Sequence, residues 1–186
     1  MTSTWDGGEG DDFLWGRYLP QGNMKLYGGN GDDIIYGSYK AGVVETSVLA
    51  GQGGKDLIRT DIYKTGDNQR EFIVFGDWGY GEDGSYEVRS NPNNPFIQYG
   101  DPTLEKKLQG DDDTIIFGDA TNNFSSAQKF YAGDGDDVVT MGDEYRKSYG
   151  FGGRGDDIIN LPGSFIGNAA SRLIVNGGYG DDMILA

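Results

Sequence analysis

A short motif rich in glycine and aspartate recurs along the chain, and this repetition constrains the fold more than any other feature. Eight copies are recognisable: GGEGDDFLW from Gly7, GGNGDDIIY from Gly28, GQGGKDLIR from Gly51, GDWGYGEDG from Gly76, GDDDTIIF from Gly110, AGDGDDVVT from Ala132, GGRGDDIIN from Gly152 and GGYGDDMIL from Gly177. The copies from Gly51, Gly76 and Gly110 are degraded, and in the last of these either Asp113 or Thr114 can hold the key acidic position. A short unit that is repeated along most of a chain indicates a solenoid, in which each unit buries its apolar face against its neighbours.

Each period has the same internal order. A turn is followed by a short apolar run such as Ile34–Tyr36, then by a polar loop of variable length, then by a second apolar run such as Met24–Tyr27. This order predicts strand, loop, strand and turn, which make one coil per period. No segment of helical length has a 3.6-residue periodicity. We therefore predict a single all-β domain, residues 1–186, with about eight coils and an irregular, proline-rich excursion at about 85–109.

The composition excludes several classes of function. The chain has 30 acidic and 15 basic residues, a formal charge of -15, and neither cysteine nor histidine. Without these two residue types there are no disulfides, thiolate metal sites, Ser-His-Asp triads or histidine-based zinc sites. The acidic balance argues against binding nucleic acid, which needs a basic face. No apolar run approaches the ~20 residues of a membrane span, and acidic residues interrupt the first fifteen residues too often for a signal peptide.

The motif resembles the RTX nonapeptide GGxGxDxUx, in which U is a large apolar residue. This resemblance covers most of the chain and implies a right-handed parallel β-roll or β-helix. It also implies Ca²⁺ ions between successive turns, bound by backbone carbonyls and by the aspartate at position six. The implied ligand aspartates are Asp12, Asp33, Asp56, Asp83, Asp113, Asp137, Asp157 and Asp182. The implied carbonyl ligands lie around Gly8, Gly10, Gly29, Gly31, Gly51, Gly53, Gly133, Gly135, Gly153, Gly155, Gly178 and Gly180.

The chemistry of these residues agrees with calcium binding. Calcium takes 6–8 oxygen ligands in flexible geometry, and glycine lets the backbone turn its carbonyls toward one point. Stacked coils would place carboxylates about 4.7–4.9 Å apart, where like charges repel by several kcal/mol at an effective dielectric near 20. About five to seven Ca²⁺ would bring roughly +10 to +14, close to cancelling the formal charge. We therefore expect calcium binding to be coupled to folding.

Two features depart from the RTX pattern. The motif recurs only once per coil, so we expect calcium along one edge of the roll. Position seven should point away from the core, yet it is apolar in six copies. The residues of this apolar stripe are Phe13, Ile34, Leu57, Val138, Ile158 and Met183. Either the excursion and loops cover the stripe, or it docks another chain.

Three functions remain open at this point. The first is a non-catalytic structural or interaction module that binds calcium, with a protein partner or a second copy on the apolar stripe or on the open ends of the solenoid. The second is an accessory module of a secreted enzyme or adhesin. The third, a β-helix lyase or epimerase, is disfavoured because no compact Asp-Arg-Tyr cluster is visible. An extracellular or cell-surface location is expected because millimolar calcium suits such sites.

Overall fold

The computed structural model contains two parallel β-sheets. It describes residues 2–16, 23–39, 45–62, 70–77, 111–118, 126–142, 148–161 and 173–186. The strands are β1 (Thr2–Glu9), β2 (Phe13–Gly16), β3 (Asn23–Asn30), β4 (Ile34–Tyr39), β5 (Glu45–Gly53), β6 (Leu57–Ile62), β7 (Arg70–Asp77), β8 (Thr114–Phe117), β9 (Ser126–Asp134), β10 (Val138–Thr140), β11 (Ser148–Arg154), β12 (Ile158–Asn160), β13 (Leu173–Tyr179) and β14 (Met183–Leu185).

The strands alternate between the two sheets along the chain. The odd-numbered strands form the first sheet in the order β1-β3-β5-β7-β9-β11-β13, and the even-numbered strands form the second in the order β2-β4-β6-β8-β10-β12-β14. All the pairings are parallel, for example Phe13 with Ile34 and Ile34 with Leu57. Each coil therefore contributes one strand to each sheet, as in a β-solenoid. The predicted all-β solenoid is confirmed, and no helix that could cross a membrane occurs in the part of the chain that the structure describes.

The predicted number of coils, about eight, is wrong, because two degraded copies of the motif belong to one coil. Strand β7 ends at Asp77 and β8 begins at Thr114, yet β6 is bonded directly to β8, and β7 lies between β5 and β9. The two sheets therefore hold seven strands each. The fourth coil takes its first two motif positions from Gly76 and Asp77 and its later ones from the segment that begins at Asp111.

The strand pairings on both sides of β8 also resolve the register of the motif near Asp113. Thr114 pairs with Leu57 on one side and with Val138 on the other, both at position seven, so Asp113 is the position-six residue. The 33 residues between Asp77 and Asp111 are an insertion within one copy of the motif. Asp83 and the predicted excursion at 85–109 lie outside the described residues.

The core lies between the two sheets and is built by strand alternation. Position eight points inward, and its residues are buried at Leu14, Ile35, Ile58, Ile115, Val139 and Ile159. They pack in one cluster with residues of the first sheet such as Leu26 and Phe130. Burying each such side chain contributes about 1.5–3 kcal/mol. Ile184 occupies the same register but is 45% exposed.

The outward faces of the two sheets differ. On the first sheet Phe75, Tyr131 and Phe151 stack in a row, with ring centroids 5.2 Å and 5.6 Å apart, and these three side chains are buried. On the second sheet four members of the apolar stripe are exposed, including Phe13 at 61% and Met183 at 53%, whereas Leu57 and Val138 are half-buried. Thr114 interrupts this stripe at the fourth coil.

Candidate metal site

The turns that join the two sheets bring successive coils into close contact. Glycines at positions two and four have positive φ, for example 120° at Gly29 and 130° at Gly31. A Cβ at Gly29 would collide with the carbonyl oxygen of Gly8 in the preceding coil, and one at Gly31 would collide with Gly10. These glycines are therefore required both by their backbone conformation and by the stacking of the turns.

The position-six aspartates form a ladder along the inside of the turns. In every pair of adjacent coils, the backbone N–H of one aspartate donates to Oδ1 of the aspartate in the next coil. The pairs are Asp12 to Asp33 (2.7 Å), Asp33 to Asp56 (2.9 Å), Asp56 to Asp113 (2.8 Å), Asp113 to Asp137 (2.8 Å), Asp137 to Asp157 (3.0 Å) and Asp157 to Asp182 (3.1 Å). These amides relieve part of the repulsion that the sequence led us to expect between stacked carboxylates.

The other carboxylate oxygen of this ladder has no hydrogen-bond partner. Oδ2 is buried and unpartnered in Asp12, Asp33, Asp56, Asp113, Asp137 and Asp157. Buried polar atoms in folded proteins nearly always have a partner, and an uncompensated buried carboxylate is very costly. A column of such atoms therefore indicates that something else neutralises them.

Five of these six oxygens lie beside a glycine at position one, together with a backbone carbonyl from the next coil. Oδ2 of Asp33 and the carbonyl oxygen of Gly51 both lie within 3 Å of the point that a Cβ on Gly28 would occupy. The same pairing of a carboxylate and a carbonyl occurs over Gly7, Gly51, Gly76 and Gly152. Two acceptor oxygens thus converge where the missing side chain leaves room, and this cradle suits a hard cation that prefers oxygen ligands.

Burial raises the pKa of the aspartates in this column. The pKa reaches about 10 at Asp113 and about 9 at Asp137, where burial outweighs the amide that each Oδ1 accepts and neighbouring carboxylates add to the rise. For the same principal reason the pKa reaches about 7 at Asp56 and about 6 at Asp157. The charged form of these groups is therefore unfavourable unless a positive charge lies beside it.

A second ladder runs along the outside of the same turns at position five. Here the direction is reversed: the N–H of Asp32 donates to Oδ1 of Asp11 (3.0 Å), and the N–H of Asp156 donates to Asp136 (2.9 Å). Lys55 replaces aspartate in the third coil, and its ammonium lies 2.7 Å from Oδ2 of Asp112. This exposed ion pair lowers the pKa of Asp112. In the sequence, these position-five residues are the first Asp of each GDD, for which the motif predicted no role.

The structure aligns seven of the eight predicted ligand aspartates in one column, and Asp83 lies outside the described residues. Of the predicted carbonyl residues, Gly51 is at position one and its carbonyl faces Oδ2 of Asp33. Carbonyls at positions two and four, such as those of Gly8 and Gly135, instead face the positive-φ glycines of the next coil. Among the described residues, no three acidic side chains meet as a metal-binding group, so an ion in the cradle would need backbone carbonyls as ligands.

One further acidic residue at the turns escaped sequence reasoning. Asp77 occupies position two of the fourth coil, where its register partner is Gln52, and it is buried. Burial raises its pKa to about 8 against the lowering effect of the Asp134 amide. The degraded copy from Gly76 concealed this position, because the motif appeared to continue through residues that belong to the insertion.

Comparisons with known proteins give no family for the chain: no family model, no curated protein and no solved structure matches it. The resemblance to RTX repeats therefore depends on the motif alone.

Proposed function

We propose that this chain is a calcium-binding β-roll of the RTX type that acts as a non-catalytic structural or interaction module. The observation that supports this most is the column of buried, unpartnered Oδ2 atoms, five of which converge with a carbonyl oxygen over a position-one glycine. A Ca²⁺ ion between the carboxylate and carbonyl oxygens would coordinate both, so neither oxygen would need a hydrogen-bond donor.

Calcium suits this column better than the alternative neutraliser, a proton on each aspartate. A protonated Oδ2 could donate to the facing carbonyl, and the raised pKa values of Asp113 and Asp137 favour protons in the metal-free chain, so calcium would displace these protons on binding. The formal charge of -15 favours cations, and the mixture of carboxylate and carbonyl oxygens is the ligand type that Ca²⁺ prefers over softer metals. The turns would then be stabilised by ion binding that the unfolded chain cannot match.

We further propose that the apolar stripe on the second sheet is an interaction surface and not an active site. Four members of the apolar stripe are exposed, as the pairs Phe13 with Ile34 and Ile158 with Met183 at the two ends of the second sheet, and exposed apolar surface is typical of contacts with another chain. The chain lacks histidine and cysteine, and therefore the commonest acid-base and nucleophilic groups. An extracellular or cell-surface location, where calcium is millimolar, fits sites of this kind.

Far-UV circular dichroism tests the role of calcium in folding. The chain, freed of metal with a chelator, is titrated at pH 7.5 with Ca²⁺ and separately with Mg²⁺. We expect a cooperative gain of β signal, or a large rise in unfolding temperature, with Ca²⁺ but not with Mg²⁺, which gives up its water ligands reluctantly and demands near-ideal octahedral geometry. A chain with full β signal in chelator, whose unfolding temperature is the same with and without Ca²⁺, would contradict the proposal.

A further inference from the structure

The fourth coil carries an acidic residue where other coils have glycine. Position two is glycine at Gly8, Gly29, Gly133, Gly153 and Gly178, and it is aspartate at Asp77. The Asp77 side chain is only 8% exposed. The backbone N–H of Asp134 donates to its Oδ2 at 2.6 Å, while its Oδ1 has no hydrogen-bond partner.

A second unpartnered oxygen lies beside the residue that precedes Asp77. Oδ2 of Asp113, which is 1% exposed, lies over Gly76 together with the carbonyl oxygen of Ala132. Oδ1 of Asp113 is already used, because it accepts the N–H of Asp56. Each side of the insertion therefore supplies one buried carboxylate oxygen without a hydrogen bond of normal geometry, and both belong to the same turn. The Asp111 amide also lies close enough to Asp77 to lower its pKa.

We propose that Asp77 and Asp113 bind a hard divalent cation, Ca²⁺, at the junction where the 33-residue insertion leaves and rejoins the coil. The ligands would be Oδ1 of Asp77, Oδ2 of Asp113 and the carbonyl oxygen of Ala132, completed by water or further carbonyls. This inference rests on the proposed function and gives one of its five cradles, the one over Gly76, a different composition. The other cradles pair one carboxylate with a carbonyl, whereas this site has two carboxylates.

The extra carboxylate has two consequences. Calcium affinity rises with the number of charged ligands, so this site fills at lower calcium concentration than the remainder of the column. The ion also joins two chain segments separated by 33 residues, and a link that closes a long loop removes more conformational freedom from the unfolded chain than one that closes a short loop.

Isothermal titration of the metal-free chain with Ca²⁺ tests this site through two substitutions. Asp77→Gly restores the residue found at position two in five other coils, and Asp77→Asn keeps the size and an acceptor for the Asp134 amide while removing the charge. Asp134→Asn is the matched control, since it removes one carboxylate from the adjacent strand without touching the proposed ligands. Circular dichroism in saturating Ca²⁺ checks that each variant is folded.

We expect the wild-type chain to bind one equivalent of Ca²⁺ at least tenfold more tightly than the others. That tight equivalent should be absent in Asp77→Gly and Asp77→Asn and retained within threefold in Asp134→Asn. If both Asp77 variants titrate like the wild-type chain, this inference is wrong while the proposed function stands. If the wild-type chain takes up no Ca²⁺, the proposed function itself fails.

Discussion

At the scale of single residues, the two oxygens of each position-six aspartate have different environments. Oδ1 accepts a backbone amide from the neighbouring coil and therefore supports the fold whether or not an ion is bound. Oδ2 is buried without a hydrogen-bond partner in six of the seven, and it is the oxygen that we propose binds Ca²⁺. The position-five aspartates serve as natural controls, because they make similar amide contacts on the exposed side of the same turn.

Asp157→Asn should separate these two roles. The asparagine oxygen can still accept the Asp137 amide, so at pH 8 in chelator we expect stability equal to or above that of the wild-type chain, because a buried charge is removed. In Ca²⁺ at a hundredfold excess over its dissociation constant, the variant should lose about 2.7 kcal/mol of calcium-dependent stabilisation. Urea unfolding with and without Ca²⁺ measures both. Asp156→Asn should keep the full calcium effect, and equal losses in the two variants would contradict the assignment.

The residue at position one provides a complementary test. Ala132 holds this position in the fifth coil, whereas a Cβ on Gly152 would occupy the space shared by Oδ2 of Asp157 and the carbonyl of Gly177. We expect Gly152→Ala to weaken or abolish one calcium site and Ala132→Gly to strengthen one, as measured by calorimetry. If the glycines serve the turns alone, Ala132→Gly should change only stability, lowering it by about 0.5–1 kcal/mol through backbone entropy.

Much of the site at this scale follows from sequence spacing, and part of it does not. The position-six and position-eight residues could be assigned because side chains alternate in a strand, and because GGxGDD recurs in register. The hydrogen bonds from each amide to the next carboxylate could not be predicted, because they depend on the offset between coils. Asp77 could not be recognised, because its coil is completed by residues that begin 34 positions further along the chain.

At the scale of strands, the register of β6, β8 and β10 shows why the coil count was overestimated. The sequence separation of 57 residues from Asp56 to Asp113 is one step of the ladder, although neighbouring steps span 20 to 25 residues. Periodicity in sequence assumes loops of similar length, and an insertion inside a turn breaks that assumption without breaking the sheets. The strand types were predictable because apolar runs flank every turn.

The stacked rings on the outward face of the first sheet stabilise the middle strands. Phe151 lies 5.6 Å from Tyr131 with nearly parallel rings, and its side chain is buried. We expect Phe151→Ala to lower the free energy of unfolding by about 3 kcal/mol, measured by urea unfolding in Ca²⁺. Tyr179→Ala removes a ring from an exposed position and should cost less than about 0.5 kcal/mol. Similar losses in both variants would contradict the packing described for this face.

At the scale of the whole molecule, the column of raised pKa values makes the stability of the metal-free chain depend on pH. Because burial lifts the pKa of Asp157 to about 6, of Asp56 to about 7 and of Asp137 to about 9, the folded state holds protons that the unfolded state releases. These protons stabilise the folded state fully below pH 3.8, which is the ordinary pKa of aspartate. The stabilisation is lost as the pH rises through the folded pKa values. The loss is up to about 1.4 kcal/mol per pH unit for each group.

Thermal unfolding in metal-free buffer should therefore show a higher midpoint at pH 5 than at pH 8. In saturating Ca²⁺ the difference should shrink or reverse, because the ion replaces the protons at high pH and competes with them at low pH. Equal midpoints at the two pH values without metal would show that the buried carboxylates do not control stability.

Counting the bound ions tests calcium binding by the whole column most directly. The chain is dialysed to equilibrium at pH 7.5 against 1 mM free Ca²⁺, and the calcium per folded chain is measured by mass spectrometry of the metal. The account predicts about five to seven Ca²⁺ per chain, since each cradle supplies its own carboxylate and carbonyl oxygens. A folded chain that retains less than one Ca²⁺ would show that the column is neutralised in another way and would contradict the proposed function.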